Sequence, residues 1–186
     1  MLETQNPKLT EETVRAIVRE EIERAFTKDK AARRACIIAS KGTLDWAYPP
    51  LILSTAAAAA GMETAVFFTF YGLNIVRKDF EKRLIVSPVA NPAMPMPVPM
   101  PDLFTAMPGM QTVATAMMKS MFSKKGVATI RELLDVARES GVRLIACQMT
   151  MDVFGYQQDE FLEGVEFGGA AAFLSEARKS HVTLFV

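Results

Sequence analysis

Short, continuous apolar runs separated by amphipathic stretches set the plan of this chain. Ala35-Cys36-Ile37-Ile38-Ala39 is apolar at every position and gives way to Ser40-Lys41-Gly42-Thr43. A run of strand length that does not alternate predicts a strand buried on both faces, followed by its exit loop. Tyr48-Pro49-Pro50 opens the next helix, because proline is tolerated in a first turn, and the Ala- and Leu-rich stretch from Leu51 to Ala60 stops at Gly61. Thr64 to Phe70 reads as a second buried strand closed by Gly72. Strand, helix, strand implies a right-handed parallel crossover. Further on, Thr129-Ile130-Arg131-Glu132 fits a capping box whose helix runs to Gly141. Val142 to Cys147 is the third strand, with Gln148 to Gly155 as its exit loop. A helix from about Val165 to Lys179 and a strand from His181 to Val186 complete the pattern. The fold class predicted is α/β, a doubly wound, mostly parallel sheet.

Two stretches fall outside that alternation. Over residues 10–27, Thr10 is placed to cap a helix, Glu11 and Glu12 occupy its first turn, and Val14, Ile17, Val18, Ile22 and Ala25 share one face. The second is an insertion over 87–123. Its first part, 88–110, holds seven prolines interleaved with Met94, Met96, Met100, Met107 and Met110, a density that neither a helix nor a central strand survives. A helix from about Thr112 to Phe122 follows. The domains expected are therefore an N-terminal helical extension, 1–33, and an α/β domain, 34–186, that carries the insertion.

Charge and composition narrow the function classes. In 186 residues, 21 basic side chains balance 21 acidic ones, so no basic excess draws the protein to nucleic acid. No long uncharged apolar stretch has the length of a spanning helix, and the N-terminus lacks the basic-then-apolar layout of a signal peptide. A cytoplasmic location is expected, with membrane association through the insertion as the alternative. The two cysteines, Cys36 and Cys147, form no CxxC pair, and His181 is the single histidine. Neither a metal site nor a Cys/His or Ser/His pairing has material to form. Ser40-Lys41-Gly42-Thr43 lacks the spacing of a phosphate loop, so no nucleotide cofactor is implied.

In open parallel sheets ligands bind beyond the carboxyl ends of the strands. That rule selects three exit loops, which bring Lys41, Gly42 and Asp45, then Tyr71, then Cys147, Gln148 and Thr150. A thiol becomes a nucleophile beside a cation, a helix N-terminus or backbone donors. A free cysteine at a strand end is equally a small apolar core residue, so position alone leaves both readings of Cys147 open. Cys36, mid-strand, reads as core. Asp45 reads more readily as a helix cap than as a base, and the methionines read as a contact surface rather than a soft-metal site.

Ser40-Lys41-Gly42-Thr43-Leu44-Asp45-Trp46-Ala47-Tyr48-Pro49-Pro50, Phe67-Phe68-Thr69-Phe70-Tyr71-Gly72-Leu73 and, most specifically, Ala146-Cys147-Gln148-Met149-Thr150-Met151-Asp152-Val153-Phe154-Gly155 resemble the DsrE/DsrF-like sulfur-relay family, in its longer branch with a Met/Pro-rich insertion. The resemblance covers about residues 34–186. It implies a flavodoxin-like fold, assembly into homo-oligomers, and a cysteine, here Cys147, that carries sulfane sulfur as a persulfide between donor and acceptor proteins. The rival from another class is a non-catalytic oligomeric binding protein that contacts a partner or membrane surface through the insertion. A redox sensor that oxidises Cys147 to a sulfenic acid is a third reading.

Overall fold

The computed structural model describes residues 19–20, 33–86 and 109–186. The chain divides into two compact units, 1–33 and 34–186. In the first unit, Arg19 and Glu20 are helical. The rest of the helix expected over 10–27, and the Met/Pro-rich stretch as far as Pro108, lie outside the described residues. So does the expectation that the insertion covers the cleft or meets a membrane. Among the described residues no helix is long and apolar enough to cross a membrane.

The second unit is built on a parallel sheet of β1 (Arg34–Ala39), β2 (Glu63–Phe68), β3 (Arg143–Cys147), β4 (Glu166–Gly168) and β5 (Val182–Phe185), in the order β4-β3-β2-β1-β5. Its helices are α1 (Leu44–Ala59), α2 (Phe80–Arg83), α3 (Met110–Lys124), α4 (Ile130–Glu139), α5 (Gln148–Phe154) and α6 (Ala170–Ala177), and a 3-10 segment spans Phe70–Val76. From β1 to β4 each crossover steps the same way across the sheet. The last step, through α6, returns past β1. Right-handed crossovers therefore place α6 on the face opposite α1 and α4. The fold is the expected doubly wound α/β sheet, with the chain's final strand flanking β1.

The two faces explain the continuous apolar runs. Ile37, Val66, Phe68, Leu144 and Ala146 belong to one core with Leu51 of α1 and Leu134 of α4. The alternate residues Cys36, Ala65, Phe67, Ile145 and Cys147 form a smaller core, against which Phe173 and Ala177 of α6 pack. A fully buried Leu, Ile, Val or Phe is worth about 1.5–3 kcal/mol. The first core holds most of these and carries most of the stabilisation. The helical part of the insertion docks on that side as well: Met118 and Phe122 pack on the core, and the Phe122 ring meets Tyr48 edge-on at 4.8 Å. Buried Thr115 accepts the Val86 N–H at 3.0 Å and donates to the Gln111 carbonyl.

Four boundaries differ from the sequence reading. Helix α1 starts at Leu44 rather than at Tyr48, which leaves Pro49 and Pro50 inside it. Leu44 N–H finds the Ile85 carbonyl at 3.0 Å, a tertiary bond that supports an earlier first turn. Strand β2 ends at Phe68, since Phe70 turns out of the sheet with φ +47. The exit of β3 is not a loop but α5, supported by a Gln148–Asp152 side-chain bond at 3.0 Å and closed by Gly155 at φ +69. Glu166–Gly168 is a strand where a helix was expected, and α6 begins only at Ala170.

Edge strand β4 is tied to β3 by ions. Arg143 donates to Glu166 at 2.9 and 2.7 Å and also reaches Glu176 at 3.1 Å. The hydrogen bond from Arg143 holds the Glu166 carboxyl below its ordinary value of 4.5. A depressed carboxylate contributes stability above its unfolded value and loses it as pH falls through the folded one. Both partners are about half exposed, which limits the pair to about 0.5 kcal/mol. Glu166→Gln should cost that much in urea unfolding at pH 7 and nothing measurable at pH 3; equal losses at both pH values would mean that the contribution is not ionic.

Candidate functional site

At the carboxyl edge of the sheet the strand exits are locked together. A Cβ on Gly42 would lie 2.0 Å from the Tyr71 carbonyl oxygen, and one on Gly72 would lie 2.1 Å from the Ala39 carbonyl oxygen. Only two glycines allow the β1 and β2 exits to cross this closely. The backbone seals the crossing: Thr69 N–H donates to Ala39 at 3.0 Å, and Gly72 N–H donates to Ser40 at 3.2 Å. On the other flank, Ser40 donates through both its N–H and its hydroxyl to the Val186 carbonyl at 3.0 and 3.2 Å, which brings in the end of β5.

Cys147 is the last residue of β3 and the N-cap of α5, so the chain passes from strand to helix at the thiol. Its side chain caps nothing and is 3 % exposed, in the smaller core with Phe67 and Ile145. Across β4 its register partner is Gly168, and Ala172 of α6 fills the space a side chain there would take, its Cβ 2.9 Å from where a Gly168 Cβ would stand. On the other flank β2 and β3 pair up to Phe68 and Ala146, which places Thr69 at the next position, level with Cys147. From the first turn of α5, Thr150 reaches into the β2 exit: its Oγ1 lies 3.2 Å from Thr69 Oγ1 and accepts the Phe70 N–H at 3.3 Å. The Tyr71 ring stacks on Phe154 of the same helix, with centroids 5.8 Å apart.

The chain's similarities agree with this layout. Residues 31–185 match the model of the DsrE/DsrF/DrsH-like family. The chain belongs to this family. It is 51 % identical over 158 residues to a sulfur carrier protein, DsrE2, of Allochromatium vinosum, covering 83 % of this chain and 98 % of that one. It is 32 % identical to an uncharacterised protein, YrkE, of Bacillus subtilis, over 83 % of this chain and 97 % of that one. The crystal structure of the YchN protein of E. coli superposes with a TM-score of 0.51 at 11 % identity, covering 83 % of this chain and 99 % of that one, and so shares the fold.

Within this family member the sequence-derived candidates divide. Cys147, Thr150 and the Tyr71 turn come together, and the Gly42 backbone braces that turn. Lys41 places its ammonium 3.1 Å from the centroid of the Trp46 ring, a cation–π contact. Asp45 is not the helix cap expected from sequence: because α1 starts early, Thr43 is the N-cap residue, and Asp45 lies inside the first turn, where it accepts the Thr43 hydroxyl at 2.6 Å. Gln148 bonds Asp152 along α5. Burial raises the Cys36 thiol above its ordinary range, with the Glu176 carboxylate adding to the effect, which keeps it protonated and unreactive. Thr69 and Phe70 lie in the β2 exit that the sequence selects, where Tyr71 alone is named as a candidate; their bonds to Thr150 join residues 81 and 80 positions apart. Phe70 lies within an aromatic, strand-like run, and nothing in that run signals a left-handed residue.

Among the described residues, two cavities lie against these elements. One of about 730 Å³ runs along α5 and is lined by Gln148, Met151, Asp152 and Tyr156 among others. The other, of about 880 Å³, lies among α1, α2, α3 and α4, is bordered by Tyr48, Phe80 and Phe122, and includes no residue of the β2 or β3 exits. Because Gly42 has backbone where a methyl would go, Gly42→Ala should destabilise the protein by about 3 kcal/mol, the upper range of overpacking. Chemical denaturation reads this directly, and a loss under 1 kcal/mol would mean that the crossing has room to relax.

Proposed function

We propose that this protein is a sulfur carrier in which Cys147 holds sulfane sulfur as a persulfide and passes it to an acceptor thiol. The observation that carries the reading is the 51 % identity to a sulfur carrier along nearly that protein's whole length, together with a thiol placed at the strand-to-helix junction of the sheet's carboxyl edge. In the loading step the Cys147 thiolate attacks the outer sulfur of a donor persulfide. A new S–S bond forms, the donor's S–S bond breaks, and the donor leaves as a thiolate. In delivery an acceptor thiolate attacks the same outer sulfur, and Cys147 is the leaving group. Both steps are exchanges, with no net oxidation or reduction. Cys147 immediately precedes the first turn of α5, whose N–H groups have no partner within the helix.

Donor and acceptor proteins are the partners this chemistry requires. Homo-oligomers are the other assembly we infer. What supports them is the exposed apolar surface of β5 and α6, formed by Leu174, Val182, Leu184 and Phe185. Light scattering should give an oligomer mass for the wild type and a smaller mass for Phe185→Asp; a wild-type monomer would remove that inference.

The carrier reading is tested by intact-mass spectrometry after incubation with inorganic polysulfide. The wild type should gain the mass of one sulfur, removable by excess thiol, and Cys147→Ser should lose at least nine-tenths of the gain. A Cys147→Ser protein that loads as fully as the wild type would overturn the assignment.

A further inference from the structure

We propose that Thr150 is a specificity-determining latch, which holds the Thr69–Gly72 turn closed beside Cys147 and keeps small thiols from the sulfur it carries. This inference rests on the carrier reading.

The problem it answers is geometric. Exchange at Cys147 needs an attacking thiolate in line with a sulfur–sulfur bond, yet the side chain is 3 % exposed. A segment next to the thiol therefore has to move, and the β2 exit turn is level with it on the β2 side. That turn is strained. Phe70 is the single non-glycine residue with positive φ among the described residues, at +47. For a bulky aromatic this conformation is strained and persists only where its surroundings enforce it.

Three contacts enforce it here. Gly42 and Gly72 fix the turn's backbone against the β1 exit, as described above. On the α5 side, the Thr150 hydroxyl accepts the Phe70 N–H and pairs with Thr69 Oγ1. The glycine crossing is steric and cannot be undone without moving the β1 exit. The Thr150 bonds are two contacts to one hydroxyl, together of the same order as the strain they restrain. Thr150 is 1 % exposed, so no bulk water replaces those bonds while the turn is shut. The Phe70 and Tyr71 side chains are 53 % and 66 % exposed, within reach of an incoming protein, whereas the latch hydroxyl is not. A partner that grips the two rings can supply the free energy to release the turn. A small thiol has nothing with which to grip them.

The prediction concerns the sulfur's accessibility. In reduced full-length protein, alkylation by iodoacetamide, mapped to the Cys147 peptide by mass spectrometry, should be at least tenfold faster in Thr150→Val than in the wild type. Thr150→Ser, which keeps the hydroxyl, should stay within about twofold of the wild type. The polysulfide-loaded Thr150→Val protein should likewise lose its sulfur to glutathione at least tenfold faster. If Thr150→Val does not fold, as judged by circular dichroism, Phe70→Pro tests the same latch from an exposed position, because proline has neither the N–H nor access to that φ. It should give the same acceleration. A folded unlatched variant with a wild-type alkylation rate overturns the latch. Failure of the wild type to take up sulfur overturns the carrier reading alone, since the alkylation comparison needs no sulfur donor.

Discussion

The crossing of the β1 and β2 exits at Gly42 and Gly72 is the contact on which the working edge of this protein depends. With a Cβ at either position the two backbones could not pass, since the nearest carbonyl oxygens would stand 2.0 and 2.1 Å away. Because they do pass, Thr69 is held level with Cys147 and Phe70 is forced out of the sheet. From α5, Thr150 can then reach the turn. A glycine-containing exit loop that first suggested ligand contact is in this structure a steric joint, and its effect on the thiol is indirect.

The two cysteines share the face on which α6 packs, yet they lead different lives. Cys36 lies mid-strand between β2 and β5, and its thiol is held protonated by burial and by the nearby Glu176 carboxylate. Cys147 lies where the strand ends and a helix begins. There the backbone turns its N–H groups toward the junction, and the neighbouring strand offers a glycine instead of a side chain. The difference is one of place along a strand rather than of residue type. Among the described residues one short helix, α6, packs on this face, whereas α1 and α4 pack on the other.

How much of this was legible from sequence follows the same physics. Continuous apolar runs such as Ala35 to Ala39 predict strands buried on both sides, and the β1, β3 and β5 strands are where the runs place them. The capping box at Thr129 and Glu132 is present, because its signal is local to four residues. What depends on tertiary contact was not legible. The early start of α1 rests on a bond to Ile85. The three-residue strand β4 is held by Arg143 from another strand, in a stretch whose Gly and Ala content says helix packing. In the site, Cys147 was visible as a thiol at a strand end. Thr150 was visible only as a neighbour, because its partners Thr69 and Phe70 are 81 and 80 residues away in the chain.

Burial of a carrier's cysteine looks at first like an obstacle to its chemistry. The requirements of carriage make it consistent. A loaded persulfide must resist small nucleophiles between donor and acceptor, and the exchange reaction offers it no other protection, since any thiolate that arrives in line will take the outer sulfur. The apolar cluster of Phe67, Ile145 and Phe173 around Cys147 keeps bulk water and charged small nucleophiles off the sulfur. In the carrier we propose, storage corresponds to the closed turn and exchange to the open one. The difference between them is movement of the turn beside the thiol, and no rearrangement of the sheet is required.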